Sequence, residues 1–219
     1  MWLRLVSVPA VVAGLGLSAA HGQSTLTSRP MAPGAGFTTP ARSPHATEAL
    51  FRGDMIPEMS VGCSAGQNDW ATKVTATLMP TFGVVSTTYS ISGTSGPTFD
   101  LVAWSNGASP GAQIQRCPLG PANGTPGSHT VTVPAGCLTI PAAAGQTFFF
   151  GLSQGTDPQT MALAMDTSGS TPGTVFTRAP NCGLPNFLPV EAIGFPGYWV
   201  HRIIIDDTVP VELMGFGVD

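Results

Sequence analysis

Charge is scarce in this chain, and positive charge scarcest: 219 residues carry 8 Lys and Arg against 12 Asp and Glu, with charged side chains at 9%. Nucleic-acid binders neutralise phosphates with many basic groups, so that class is excluded. There are only four cysteines, no CxxC pair, and no second histidine near His129, the histidine closest to any cysteine. A zinc site is therefore not expected. Long helix-forming runs are missing too, because 27 glycines and 21 prolines interrupt the sequence. Helical bundles and coiled coils are excluded on that ground. The glycines follow no G-X-Y period, which excludes collagen.

What the sequence does contain is a large apolar fraction, 42%, enough for a core. Its first 22 residues read as a secretory signal peptide: Arg4 near the start, an uncharged apolar run from Leu5 to Ala20, and small residues up to Gly22. Cleavage after Ala20 or after Gly22 fits equally well. The apolar run is shorter than the ~20 residues of a comfortable membrane span, and no later stretch reaches that length. The first cysteine is Cys63, which excludes a lipid-modified N-terminal cysteine. A secreted, extracellular protein without a membrane span is expected, with the cell surface as an alternative location.

Export places the cysteines in an oxidising compartment, where an even number favours disulfides. Of the three connectivities open to four cysteines, Cys117 with Cys137 is favoured, because it would close the Pro- and Gly-rich stretch from Pro118 to Gly136. Cys63 then pairs with Cys182.

Residues 23–46 are rich in Ser, Thr, Pro and Gly and lack hydrophobic periodicity, so they read as an extended linker. A single domain is expected over 47–207, followed by a C-terminal β segment at 208–219 in which Val209, Val211 and Leu213 alternate with Pro210 and Glu212. Within the domain, period-two alternation marks strands around Lys73–Leu78, Val85–Ile91, Phe99–Trp104, Thr130–Val133, Leu138–Ile140, Phe148–Leu152, Met161–Met165 and Tyr198–Ile205. No window carries a 3.6-residue apolar stripe. Eight or more strands without crossover helices predict an all-β fold, an antiparallel β-sandwich of jelly-roll-like form.

Several of these strands carry a resemblance. Thr98-Phe99-Asp100-Leu101-Val102-Ala103-Trp104, the Ser109-Pro110-Gly111 turn, Thr147-Phe148-Phe149-Phe150-Gly151-Leu152 and Gly197-Tyr198-Trp199-Val200-His201-Arg202-Ile203 resemble the DLxVW, Pro-Gly, FxxGL and WxxR elements of a jelly-roll-like β-sandwich domain of secreted and surface bacterial proteins. The tail Val209–Phe216 resembles the PVELxxF segment that ends many of them. The resemblance covers roughly residues 47–219. It implies a sandwich fold and an extracellular bacterial location, and it brings no catalytic residues.

No catalytic constellation is legible. His129 reads as a turn residue and His201 as a strand histidine, and G-x-S-x-G does not occur. Asp100, Asp157, Asp166 and Glu191 are the acids that a glycoside hydrolase would need on neighbouring loops, although Asp157-Pro158 and Asp166-Thr167-Ser168-Gly169 have turn character. No cofactor or metal is expected; Asp206-Asp207 offers oxygens for a structural calcium, without a DxDxDG loop. Arg52-Gly53-Asp54 and the Asn123-Gly124-Thr125 glycosylation pattern are read as incidental. Trp70, Trp104, Tyr198 and Trp199 are the candidates for stacking on a ligand, a sugar above all, and alternation places Tyr198 and Trp199 on opposite faces.

Three function classes follow. The first is a secreted, non-catalytic module for adhesion or ligand binding, with an extracellular glycan or a surface protein as partner. The second is a structural subunit of an extracellular matrix or filament, which would self-associate. The third is a carbohydrate-active hydrolase.

Overall fold

A computed structural model describes residues 26–30, 47–64, 66–77, 81–93, 99–141, 145–155 and 161–206. The segments read as a signal peptide, 1–22, and as a C-terminal β segment, 208–219, lie outside these residues. Among them run fifteen strands: β1 (Leu26–Pro30), β2 (Thr47–Leu50), β3 (Met59–Cys63), β4 (Asn68–Thr75), β5 (Thr81–Gly93), β6 (Phe99–Trp104), β7 (Gln113–Pro118), β8 (Gly127–Thr132), β9 (Thr139–Pro141), β10 (Thr147–Gln154), β11 (Met161–Asp166), β12 (Val175–Ala179), β13 (Leu184–Pro189), β14 (Tyr198–Trp199) and β15 (His201–Asp206). Three short 3-10 turns, Pro121–Asn123, Pro180–Cys182 and Val190–Ile193, are the helical elements among the described residues.

The strands form two antiparallel sheets. The front sheet has the order β13-β12-β4-β10-β6-β7; the back sheet has the order β1-β3-β11-β5-β15-β2, with β8 and β9 on β5 and β14 on β11. The set β3-β11-β5-β8 facing β4-β10-β6-β7 is the jelly-roll pairing, in which the successive strands of the set swap sheets at every step but that from β6 to β7. The expected sandwich is therefore the fold. Two additions modify it: β12 and β13 widen the front sheet beyond β4, and the closing chain enters the back sheet as a wedge. β11 and β5 pair only from Met161 to Leu163. Beyond that point β14 follows β11 and β15 follows β5, with Val200 donating to Ala164 O and accepting from Ser90 N.

Alternation decides which side chains enter the interior. Phe148, Phe150 and Leu152 of β10 belong to the core, as do Trp70 and Val74 of β4 and Phe99, Leu101 and Ala103 of β6. Two tryptophans connect the layers. The Trp70 indole N–H of the front sheet donates to Val61 O of the back sheet at 2.9 Å, and the Trp199 indole N–H of the back sheet donates to Phe176 O of the front sheet at 3.0 Å. Each buries a large apolar ring while its one polar atom is satisfied across the gap.

Part of the segment read as a linker is structured. Leu26–Pro30 pairs antiparallel with β3, from Leu26 opposite Cys63 to Pro30 opposite Met59. Main-chain pairing along an exposed strand edge needs no apolar alternation, which is why the composition hid it; the missing N–H of Pro30 suits an edge position.

Cys63–Cys182 and Cys117–Cys137 are the two disulfides, as the spacing predicts. The first spans 119 residues and joins the end of β3 to the turn after β12; the second spans 20. Chain-entropy reasoning assigns about 4–5 kcal/mol to the long link and about 3 kcal/mol to the short one. Replacing Cys63 and Cys182 together by Ala should lower the melting temperature by on the order of 10 °C, and more than the Cys117→Ala, Cys137→Ala pair does, as differential scanning calorimetry of the disulfide-bonded protein can measure.

His201 faces the interior between the Tyr89 and Phe150 rings, with Nε2 2.8 Å from Thr87 Oγ1. It is fully buried, and burial pushes its pKa from 6.5 down to about 3. The unfolded chain therefore takes up a proton below pH 6.5 that the native state refuses. This contribution to stability is complete above pH 6.5 and is lost as pH falls, at up to about 1.4 kcal/mol per unit. Melting curves should show a decline from pH 7 to pH 5, and His201→Leu should flatten it.

Candidate functional site

The outer face of the front sheet is not a solvated polar surface. Cross-strand register places Phe176, Ala71, Gly151 and Val102 in one row across β12, β4, β10 and β6. A neighbouring row reads Lys73, Phe149 and Trp104, and another Arg178, Asp69, Ser153 and Asp100. Ala71, Val102, Trp104, Phe149 and Phe176 form a second buried cluster, separate from the interior, with Phe187 of β13 packed against it. The middle of this face holds almost no side-chain volume. A Cβ on Gly151 would lie 1.7 Å from Trp70 O, so β10 can approach β4 there only as glycine. Aromatic rings converge over this trough: Phe149 meets Phe176 edge-on at 5.4 Å, and Trp104 meets Phe187 in the same manner at 5.4 Å.

Phe187 comes from an edge strand whose pairing with β12 shifts register between Thr177 and Ala179. A bulge bends its strand and re-aims side chains. Beside Phe187 lies an open cavity of about 500 Å³ lined by Trp104, Ser109, Gln113, Arg178, Asn186 and Phe187, together with Pro110, Gly111 and Pro185. The Arg178 guanidinium carbon sits 5.1 Å from the Phe187 ring centre, and its Nε donates to Asp69 Oδ2 at 2.8 Å. Asp69 is 1% exposed, also accepts from Gln67 Nε2, and leaves Oδ1 buried without a hydrogen-bond partner among the described residues. In the same row, Arg116 pairs with Asp100 at 3.0 Å and donates to Ser153 Oγ at 3.4 Å. Burial raises the Asp100 pKa, against the opposing pull of Arg116.

Aromatic rings, amides, a hydroxyl and an anchored guanidinium around one cavity can hold a ring-shaped polyol. Apolar C–H faces pack on the aromatics, while hydroxyls exchange hydrogen bonds with the polar rim. Of the four predicted stacking residues, only Trp104 lies here. Trp70 and Trp199 are corrected to core residues: both are fully buried, and both spend their N–H on the opposite sheet. Tyr198 is half-buried against the core, with its hydroxyl 2.7 Å from Thr171 Oγ1. Arg178, Phe187, Gln113 and Asn186 were missed, although Ser109-Pro110-Gly111 was singled out as a turn.

The acids considered for hydrolysis hold local structure. Asp166 accepts from Ser168 N at 2.8 Å and from Asp54 N at 2.6 Å; burial works against its ionisation, but these hydrogen bonds outweigh it and keep its pKa low. Glu191 accepts from Gly173 N, and Asp100 is paired with Arg116. Asp157 and Asp207 lie outside the described residues, and among the described residues no three His, Cys, Asp or Glu side chains cluster. His129 contacts Thr125 O at 2.7 Å and stacks on Tyr89. Arg52 donates to Lys73 O, while Asp54 closes a turn by accepting from Ile56 N. Asn123 is tied into its loop through Leu119 O and Tyr89 Oη.

No protein-family model matches the chain, and no curated protein matches it. Among solved structures it is similar to the crystal structure of the cysteine protease and lectin-like domains of Cwp84, a surface layer associated protein of Clostridium difficile, with a TM-score of 0.53 and 9% identity. The match covers 74% of this chain and 36% of that one, so this chain corresponds to about a third of the Cwp84 chain. A structure of Cwp84 after propeptide cleavage gives a TM-score of 0.47 at 10% identity, over 66% of this chain and 37% of that chain. At such identities the likeness is one of fold.

Proposed function

We propose that this chain is a secreted, non-catalytic β-sandwich module that binds an extracellular glycan on the outer face of its front sheet. The observation that carries this reading is the cavity beside the Trp104–Phe187 pair, with Arg178, Gln113, Asn186 and Ser109 on its rim. Its volume of about 500 Å³ suits a small oligosaccharide rather than a flat protein contact. Two disulfides fit an oxidising compartment. The similar structure named above includes lectin-like domains. The resemblance to jelly-roll-like domains of secreted and surface bacterial proteins supports the same location. The non-catalytic part of the reading rests on Asp100, Asp166 and Glu191, each engaged in an ion pair or a backbone hydrogen bond.

Glycan-array screening of the full secreted chain, followed by titration of the strongest binder, tests the reading. Phe187→Ala and Gln113→Ala should each weaken that binding about tenfold, a loss of ~1.4 kcal/mol, with the melting temperature changed by only a few degrees. An array without binders, or affinity indifferent to both substitutions, would contradict the proposal. Measurable hydrolysis of a bound polysaccharide would overturn its non-catalytic part.

A further inference from the structure

The chain as a whole is acidic, with a formal net charge of −4, yet the balance inverts on the outer face of the front sheet. Register and ion pairing bring Lys73, Arg116 and Arg178 to that face against two carboxylates, Asp69 and Asp100. Each carboxylate is answered by an arginine, and Lys73 Nζ donates to a neutral acceptor, Gly107 O. Within the cavity the asymmetry is sharper: among the described residues, Arg178 is the one charged side chain in its lining.

Arg178 is also held ready. A nearly inaccessible Asp69 fixes its Nε, and the Phe187 ring lies beneath the guanidinium. Among the described residues its two Nη groups have no partner, and the side chain is 32% exposed. A planar fork fixed at one edge and open at its end matches a carboxylate, which accepts two parallel N–H bonds. The acidic remainder of the molecule repels a polyanion elsewhere and directs it to this face.

We infer that the glycan bound here is acidic: a uronate-bearing sugar whose ring packs on Phe187 and whose carboxylate is taken by the Nη groups of Arg178. The Gln113 and Asn186 amides serve its hydroxyls. This inference rests on the glycan-binding reading and narrows it to one chemical class.

The test is isothermal titration of the full secreted chain with uronate trisaccharides, each paired with its own methyl ester, which keeps the ring and linkages and removes the charge. The acid form should bind at least about tenfold tighter at low salt, and added NaCl should shrink that advantage. Arg178→Gln should remove the preference, so that acid and ester bind with equal affinity. Because that change strands the buried Asp69, the double variant Asp69→Asn, Arg178→Gln should give the same result without a buried unpaired charge. Equal affinity for acid and ester, or a preference that survives in folded Arg178 variants, would overturn the inference and leave the glycan reading standing. Failure of every acid, ester and neutral sugar to bind would overturn both.

Discussion

The structure depends on two indole N–H groups that cross between its sheets. Trp70 reaches from the front sheet to Val61 O, and Trp199 reaches from the back sheet to Phe176 O. A sandwich of this size is held mainly by apolar burial, which is non-directional and would tolerate sheets sliding over one another. The two hydrogen bonds run in opposite directions and fix the relative placement of the layers. An unmade bond would leave a buried donor unsatisfied, at a cost of about 1–3 kcal/mol each. The Cys63–Cys182 link adds a covalent tie between the end of β3 and the turn after β12.

Fixing the layers in this way separates two sets of aromatic residues. Phe148 and Phe150 go to the interior, and Phe149 between them goes to the outer face. On an ordinary solvated sheet that face would carry polar side chains. Here Ala71 and Gly151 leave a trough, and Phe149, Phe176, Phe187 and Trp104 gather over it. The polar row of Asp69, Ser153 and Asp100 next to it holds two arginines in place. The result is a buried aromatic layer on rigid strands, with Arg178 positioned at its edge by a buried carboxylate, and it is this edge that is proposed to take a ligand.

Much of the fold was legible from alternation. Phe99–Trp104, Phe148–Leu152, Met161–Met165 and Tyr198–Ile205 all coincide with strands, and the cysteine spacing led to the disulfide pairing. Strands of other kinds escaped. β13, with Pro185 and Pro189, lacks the composition of a strand, and β1 is held by main-chain pairing. The candidate binding face was legible only in fragments. Alternation separates the two sides of a strand but cannot say which side faces the partner sheet, so Trp70 and Trp199 looked as available as Trp104. Phe187 meets both Trp104 and Arg178 through a register that runs over five strands, β13 to β6, and a bulge, which no local pattern encodes.

The tryptophans divide their labour: Trp70 and Trp199 lock the layers, and Trp104 belongs to the outer face. The indole N–H signals in a 1H–15N NMR spectrum of the full chain test this division directly. During titration with a bound sugar, the Trp104 signal should move, while the Trp70 and Trp199 signals should stay in place and exchange slowly with deuterium. A Trp104 signal indifferent to a sugar that binds, or fast exchange at Trp70 and Trp199, would contradict the account.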